Sequence, residues 1–473
     1  MYAKEDSVTY VHEERSTVEM CSRILNLAST ALAETEFKQD SLRFWEEPYQ
    51  EASKWKPRAD KRYPTSLGKP EESNGYIMVS TNGGFIKAPC NAVAVASLLN
   101  ATLVLPKFLY SNVWKDSSQF GDIYQEDYFM SMLKDGIHIV QELPPYLKSL
   151  DVGAIGSLDE TFYISTVTDI IFAPLQRLRC KCNIHAIKFV LKIQVGSLLI
   201  RRIRKFKYDA TERQLDKQLL GDFAPGVSSK EDYVARGSSK YLALHLRFEE
   251  DMVAYSLCDF GGGEYKKKEL ETYREPSVII VLPDVVSMHM PDRSIPSTID
   301  ACRPVSPAEL RKLGRCPLTP EEAALVLAAL GFKRGTYIYL AGSRIYSGSS
   351  RMRSFYQYFR IQTIFLRTFF GYIFIYLEML RMQLAALGFI GCATSDVFAM
   401  TDSGSQLSSL VSGFLTYCCD GHAPTLRPNK KRLAAIFSEN SSIGWNTFED
   451  MIRKMIDEGQ RVRVRGSECM CRS

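Results

Sequence analysis

The chain is 473 residues long, which suits two domains better than one. Its 45% apolar and 24% charged residues are typical of a globular protein and exclude a largely disordered chain. The net charge of +5 is small for this length and does not indicate a nucleic-acid partner. The basic run at residues 201–207 contains Ile203 and Phe206 at helical spacing, so we interpret it as a solvated helix face.

The cysteines indicate the compartment. Twelve cysteines are many for a cytosolic protein and are compatible with an oxidising, secretory environment. Cys180 and Cys182 are separated by one residue, as are Cys469 and Cys471, and this is not the spacing of a zinc site. We therefore predict no metal site, structural disulfides for some cysteines, with Cys180 and Cys182 as candidates, and a free pair in the tail.

The first half of the chain begins with a segment that we interpret as a linker or stem, residues 1–73. Its residues 1–70 are charged and lack a long apolar run, so they predict neither a signal peptide nor a membrane anchor. A βαβ unit follows, in which a glycine turn leads into a helix N-terminus, a natural site for an anion. The expected elements are a strand at 76–80, the turn at 81–84, a helix at 89–99, a strand at 102–105 and a long helix at 184–205.

The second half shows helix and strand signals in alternation, which is typical of a parallel α/β domain. A segment rich in glycine, serine and charge, residues 222–237, is the expected hinge. Ser306 and Thr319 each begin a capping box with proline at the next position, and Gly314 and Gly331 are the expected helix stops. Strands are predicted at 335–342 and 397–400, and a helix at 406–412 that ends at Gly413.

The most informative stretch is YLALHLRFEEDM at residues 241–252. Its first four residues predict a buried strand, and polar side chains follow immediately at His245, Arg247 and Glu249. The carboxyl-end edge of an open α/β sheet is where ligands bind, and the planar guanidinium of Arg247 suits a diphosphate. Glu249, Glu250 and Asp251 are all candidates for a general base by residue type. The alternative interpretation is an ordinary strand end with a surface salt bridge.

The HLRFE sequence in this stretch resembles a motif of the plant O-fucosyltransferase family. The resemblance covers most of the chain: residues 74–85, 90–152, 175–273, 305–353 and 383–465. It implies an α/β fold of the GT-B type, with two Rossmann-like domains facing a cleft. It also implies that His245 and Arg247 lie at the donor-sugar site, with Arg247 on the diphosphate, and that the TDSGS segment at residues 401–405 surrounds the nucleotide.

From the residues and the resemblance together we predict a complete site. The donor would be GDP-fucose, the acceptor a hydroxyl group on a protein or glycan, and no metal or other cofactor is expected. The candidate catalytic residues are Arg247 and Glu249. The candidate substrate-binding residues are His245, Leu246, Arg247, Asn82, Gly83, Gly84, Asp402, Ser403, Gly404 and Ser405.

The same resemblance predicts domain boundaries and a location. The expected division is a poorly ordered stem or linker (1–73), an N-terminal Rossmann-like domain on the acceptor side (74–237), a C-terminal Rossmann-like domain on the donor side (238–465) and a tail (466–473). Members of the family usually carry one N-terminal anchor, which predicts a lumenal Golgi protein that contacts the membrane only through an anchor missing from this chain.

Several segments depart from the family pattern. At the first glycine turn, GGFIKAPC (83–90) replaces a GGLNQxR-like sequence, so that the Asn, Gln and Arg are absent. Residues 159–174, 276–303 and 354–382 also diverge, and the last of these is too interrupted by charge to span a bilayer. A non-catalytic descendant that binds a glycan or nucleotide therefore stays open as an alternative to fucosyl transfer. The resemblance leaves a second alternative open, a pectin rhamnosyltransferase, because related plant sequences share this fold and motif set.

Overall fold

The computed structural model describes the greater part of two α/β halves. The described residues are 55–57, 73–81, 87–110, 116–148, 169–196, 241–261, 263–274, 305–332, 336–342, 345–348, 351–352, 355–356, 359–361, 381–402, 405–418, 425–439, 443–461 and 470–472. Among them, no helix is long and apolar enough to cross a membrane.

The C-terminal half contains a five-stranded, fully parallel sheet. The spatial order of its strands is β9–β8–β7–β10–β11, which is the 3-2-1-4-5 order of a Rossmann sheet. The order reverses between β7 and β10, and this position is the topological switch point. The strands are β7 (Tyr241–His245), β8 (Tyr337–Ala341), β9 (Arg360–Ile361), β10 (Val397–Met400) and β11 (Thr425–Leu426).

Both faces of this sheet are covered, which is why β7 is apolar from Tyr241 to Leu244. Leu242 and Leu244 belong to one hydrophobic core, whereas Tyr241 and Ala243 belong to the other. This alternation follows from the two-residue period of a strand. The helices of this half are α7 (Glu250–Ser256), α8 (Gly263–Arg274), α9 (Pro307–Lys312), α10 (Pro320–Ala329), α11 (Arg381–Ala393), α12 (Gln406–Cys418), α13 (Lys430–Glu439) and α14 (Trp445–Arg461).

The N-terminal half is built on shorter parallel strands. A three-stranded sheet has the order β2–β4–β6, and β3 pairs with β5. The strands are β2 (Tyr76–Ile77), β3 (Ser80–Thr81), β4 (Thr102–Val104), β5 (Lys107–Phe108) and β6 (Ile139–Val140). The helices are α1 (Lys87–Leu99), α2 (Phe120–Ile123), α3 (Glu126–Leu133), α4 (Pro145–Lys148), α5 (Asp169–Ile184) and α6 (Leu191–Gly196).

Helix α11 joins the two halves, because its residues share a core with both. Met382, Leu387 and Ile390 pack with N-terminal residues and with one face of the C-terminal sheet. The Asp116 carboxylate accepts a hydrogen bond from the Met382 amide at 2.7 Å. The ring of Phe389 lies 6.2 Å from the ring of Phe189, centroid to centroid. The halves are therefore held together by buried apolar and polar contacts.

Disulfides connect distant parts of each half. Cys90 pairs with Cys182, and Cys258 pairs with Cys316. Cys180 is also disulfide-bonded. The prediction of structural disulfides at Cys180 and Cys182 is therefore confirmed.

The helix starts and stops predicted in the second half are confirmed, although only the capping box at Thr319 forms completely. Thr319 and Glu322 form the reciprocal capping box, and the Ser306 hydroxyl accepts from the Glu309 amide. Gly314 and Gly331 follow helices with φ of +72° and +87°, a backbone region that favours glycine.

Two helix predictions are wrong. The long helix predicted at 184–205 does not form as one unit, since α5 ends at Ile184 and α6 starts at Leu191. Between them, the Val190 amide donates to the Ile123 carbonyl and Phe189 bridges to Tyr124, so tertiary contacts interrupt the helix. The helix predicted to end at Gly413 continues to Cys418, because burial of Phe414 and Leu415 outweighs the cost of one glycine.

Other predictions fall largely outside the described residues. These include the hinge at 222–237, the divergent segment 276–303 and the boundary at 237/238, so the domain division stays a prediction. Within the predicted stem and tail, β1 (Trp55–Pro57) pairs antiparallel with β12 (Met470–Arg472). The divergent segment 354–382 contributes its two ends to the fold, as strand β9 and the start of α11.

Candidate functional site

The site is built at the switch point, where β7 and β10 end side by side. In their parallel register, His245 at the end of β7 lies opposite Met400 at the end of β10. The chain segments that follow both strands therefore emerge at one edge of the sheet. This is the edge at which open α/β sheets bind ligands.

Hydrogen bonds tie these two segments together. The Arg247 amide donates to the Thr401 hydroxyl at 2.9 Å, and the Thr401 amide donates to the His245 carbonyl at 3.1 Å. Leu246 is fully buried between them. The backbone position of Arg247 is thus fixed by the end of β10, at a residue 154 positions away in sequence.

The Arg247 side chain is held by a carboxylate. Its Nη1 lies 3.4 Å from Oε1 of Glu249, and the two side chains are 23% and 5% exposed. Its Nε is buried without a hydrogen-bond partner among the described residues. The salt bridge that the alternative interpretation expected at this strand end is therefore present, but it is largely buried and does not lie on the open surface. The guanidinium, which keeps some exposure, is the part of the pair that a ligand can reach.

The Glu249 backbone is fixed from the other neighbouring strand. Glu249 forms an isolated antiparallel β-bridge with Ile345. The Tyr346 amide donates a hydrogen bond to the Phe248 carbonyl at 2.8 Å. Residues 345–346 follow β8, so the segment after β7 is held from both sides. Glu250 and Asp251 lie in the first turn of α7, where acidic residues favour the helix dipole.

His245 is buried and neutral. Its side chain is 2% exposed, and its Nδ1 lies 2.8 Å from the hydroxyl oxygen of Ser408 in the first turn of α12. Burial first, and then the charge of Arg247, lower the pKa of the imidazole to about 3, while the Asp402 carboxylate acts in the opposite direction. His245 therefore orients the end of β7 against α12 and carries no charge at neutral pH.

The segment after β10 leads into the N-terminus of α12. Asp402 follows Thr401, and its carboxylate lies 3.4 Å from Nζ of Lys430. Ser405 directly precedes α12, and its carbonyl accepts the Ser409 amide. The first turn of α12 thus lies beside His245, with backbone amides of the kind that bind phosphate oxygens.

The structure brings together six of the predicted site residues at this edge. They are His245, Leu246, Arg247, Glu249, Asp402 and Ser405. The predicted residues Asn82, Gly83, Gly84, Ser403 and Gly404 lie outside the described residues, so their roles stay predictions.

Three residues of this site were missed by sequence reasoning. Ser408 contacts His245, Lys430 contacts Asp402, and Gly342 at the end of β8 lies against Glu249. A signal existed for two of them. Gly342 is the last residue of the strand predicted at 335–342, and Lys430 begins the helix after β11, so both belong at the same edge of a parallel sheet. Ser408 had no such signal, because it is one of several serines near the start of α12.

A Rossmann-ordered sheet with an arginine and a helix N-terminus at its switch point defines the class of nucleotide-binding α/β proteins. Comparison with protein-family models identifies the family within this class. The model of the GDP-fucose protein O-fucosyltransferase family matches residues 76–417.

Related proteins agree with the family match. O-fucosyltransferase 8 of Arabidopsis thaliana is 50% identical, over 97% of this chain and 80% of that protein. O-fucosyltransferase 15 of the same plant is 42% identical, over 95% of this chain and 73% of that protein. The crystal structure of POFUT1 in complex with GDP aligns with 75% of this chain and 98% of that one, at 11% identity and a TM-score of 0.35, a similarity too low to support an inference.

The chain belongs to the GDP-fucose protein O-fucosyltransferase family and is a glycosyltransferase of the fucosyl-transfer class. The resemblance found in the sequence is confirmed. The predicted α/β class, with a parallel sheet in each half, is confirmed as well, and the GT-B arrangement of two domains that face a cleft stays a prediction.

Proposed function

We propose that this protein transfers fucose from GDP-fucose to a hydroxyl group on a protein or glycan. The observation that carries the proposal is the position of Arg247. Its guanidinium lies at the switch point of a Rossmann-ordered sheet, partly exposed, and its backbone is held by Thr401.

In this proposal the reaction depends on charge at the leaving group. As the bond between sugar and diphosphate breaks, negative charge grows on the phosphate oxygens. The Arg247 guanidinium and the amides at the start of α12 stabilise that charge, and their fixed positions avoid reorganisation during the step. In this arrangement protein groups alone stabilise the charge on the diphosphate. The prediction that the site needs no metal ion requires such groups.

The acceptor hydroxyl has to lose a proton, and acidic residues after β7 are the proposed bases. Glu249 was predicted as a catalytic residue, but its carboxylate lies on Arg247 and is 5% exposed. We therefore propose that Glu249 positions Arg247. Glu250 and Asp251, which are half-buried at the start of α7, are the candidate bases. The acceptor itself would bind from the side of the N-terminal half.

We also propose that the protein works in the lumen of the Golgi. The disulfides Cys90–Cys182 and Cys258–Cys316 support an oxidising compartment, because such bonds are rare in the cytosol. The test is the sensitivity of a tagged protein in isolated Golgi vesicles to protease before and after detergent. Digestion without detergent would contradict this location.

The donor is tested by thermal protection. Purified full-length chain would be heated with GDP-fucose, GDP or UDP-rhamnose, and the melting temperature recorded for each. The proposal expects a rise with GDP-fucose and GDP. A rise with UDP-rhamnose alone would support the rhamnosyltransferase alternative.

Turnover is tested separately from binding. Release of GDP from GDP-fucose would be followed with the wild type, Arg247→Ala and Arg432→Ala. Arg432 pairs with Glu458 on the surface and serves as the matched control. We expect release by the wild type and Arg432→Ala only. Protection by GDP-fucose without release, even with plant glycoprotein extracts as acceptors, would support the non-catalytic alternative.

A further inference from the structure

We propose that Gly342 is a positioning residue of the donor site, which acts on Arg247 through Glu249. This inference rests on the proposed function, since it assigns a task to Arg247 in binding the donor diphosphate. It concerns the carboxyl end of β8, a part of the site that neither the motif after β7 nor the TDSGS segment includes.

The sheet places Gly342 beside the motif. Strands β7 and β8 run parallel with His245 opposite Ala341, so Gly342 leaves β8 at the level where Leu246 leaves β7. Gly342 is exposed at this edge and has a φ of +125°, which residues other than glycine adopt only with strain.

The space beside Gly342 is filled by atoms of three site residues. A Cβ atom added at Gly342 would lie 3.2 Å from Oε1 of Glu249, 3.4 Å from the Leu246 carbonyl oxygen and 3.8 Å from Cδ2 of His245. The nearest of these atoms is the one that pairs with Arg247 at 3.4 Å. A side chain at Gly342 would therefore press first on the oxygen that holds the guanidinium.

The carboxylate has little freedom to move away. The Glu249 side chain is 5% exposed, and its backbone is bridged to Ile345. Arg247 in turn is fixed at its amide by Thr401. Because both backbones are held, a displaced carboxylate changes the direction of the guanidinium instead of shifting the whole segment.

The test is a double-mutant cycle on GDP affinity. Gly342→Ala, Glu249→Asp and the double variant would be compared with the wild type by isothermal titration with GDP. Aspartate is one methylene shorter and withdraws the oxygen from the added Cβ. We expect Gly342→Ala to weaken GDP binding about tenfold in the wild-type background, and about threefold or less in the Glu249→Asp background.

A second arm tests the route through Arg247. In an Arg247→Ala background, where the guanidinium is gone, Gly342→Ala should leave the remaining GDP affinity unchanged. The backbone control is Gly75→Ala. Gly75 has a similar φ of +138° but no atom within 4 Å of an added Cβ, so it carries the strain without the contact. We expect Gly75→Ala to lower the melting temperature and to leave GDP affinity unchanged.

The outcomes separate this inference from the proposed function. A wild type that does not bind GDP contradicts both. A wild type that binds GDP, with equal losses from Gly342→Ala in the wild-type and Glu249→Asp backgrounds, contradicts only the role of Gly342. That result would show that the glycine gives room to the ligand or relieves strain alone.

Discussion

The Nδ1 atom of His245 lies 2.8 Å from the hydroxyl oxygen of Ser408, and both side chains are almost fully buried. These residues are 163 positions apart in the sequence. Their hydrogen bond joins the end of β7 to the first turn of α12 at the point where the sheet order reverses. The contact sets the distance between the two segments that are proposed to hold the diphosphate.

Removal of the Ser408 hydroxyl is expected to destabilise the protein. Ser408→Ala leaves Nδ1 of a buried imidazole without this partner, and a lost partner of that kind costs about 1–3 kcal/mol. The measurement is the free energy of unfolding in urea. Ser409→Ala is the matched control, because the Ser409 hydroxyl bonds to the Gln406 carbonyl at an exposed position, and we expect a change within about 0.5 kcal/mol. Equal effects of both variants would show that the contact with His245 is dispensable.

The neutral state of His245 predicts a pH dependence of stability. Burial lowers the pKa of this imidazole from 6.5 to about 3 in the folded protein. Between these values the unfolded chain binds a proton that the folded chain does not. The free energy of unfolding should therefore fall as the pH is lowered from 6.5, by up to about 1.4 kcal/mol per pH unit from this group.

The measurement for this prediction is urea unfolding at about pH 7 and about pH 5, the range over which an ordinary histidine titrates. His245→Asn keeps a hydrogen-bonding group near Ser408 but does not titrate. The wild type should lose more stability than His245→Asn over this interval. Parallel losses would mean that His245 is protonated in the folded state.

Replacement of Arg247 by lysine tests the guanidinium geometry. Arg247→Lys keeps the charge but loses the paired donors, so we expect the barrier to transfer to rise by about 2–4 kcal/mol. Stability should fall by about 1 kcal/mol, because the buried Glu249 carboxylate keeps a poorer partner. The measurements are the rate of GDP release and the melting temperature.

Arg432→Lys is the control for the arginine replacement. Its pair with Glu458 is more than two-fifths exposed on both sides, and exposed pairs contribute about 0.2–1 kcal/mol. We expect neither the rate nor the melting temperature to change appreciably. An unchanged rate in Arg247→Lys would show that Arg247 supports the structure and does not bind the donor.

The Cys258–Cys316 disulfide is expected to stabilise the C-terminal half. It closes a loop with a sequence separation of 58, and the loop-entropy relation assigns a bond of this span about 4 kcal/mol. The Cys258→Ser, Cys316→Ser double variant should therefore melt at a lower temperature than the wild type. A reductant should lower the melting temperature of the wild type by more than that of the variant. Equal melting temperatures with the bond intact and removed would contradict this prediction.

The sequence by itself determined the local elements and the family. Strand β7, the caps at Ser306 and Thr319 and the stops at Gly314 and Gly331 follow from residue type and spacing within a few positions. The polar residues that end and follow β7 also identified His245, Arg247 and Glu249 as neighbours at a sheet edge. Such features are readable because the interactions that produce them are local.

The tertiary structure alone decided which segments meet. The placement of β10 beside β7, the contact of Ser408 with His245 and the position of Gly342 against Glu249 depend on strand order and register. The break between α5 and α6 has the same origin, since contacts with residues 123–124 replace helix hydrogen bonds there. At these positions, burial between distant segments contributes more to the free energy of folding than helix propensity does. The spacing of residues along the chain does not predict which distant segments are buried against each other.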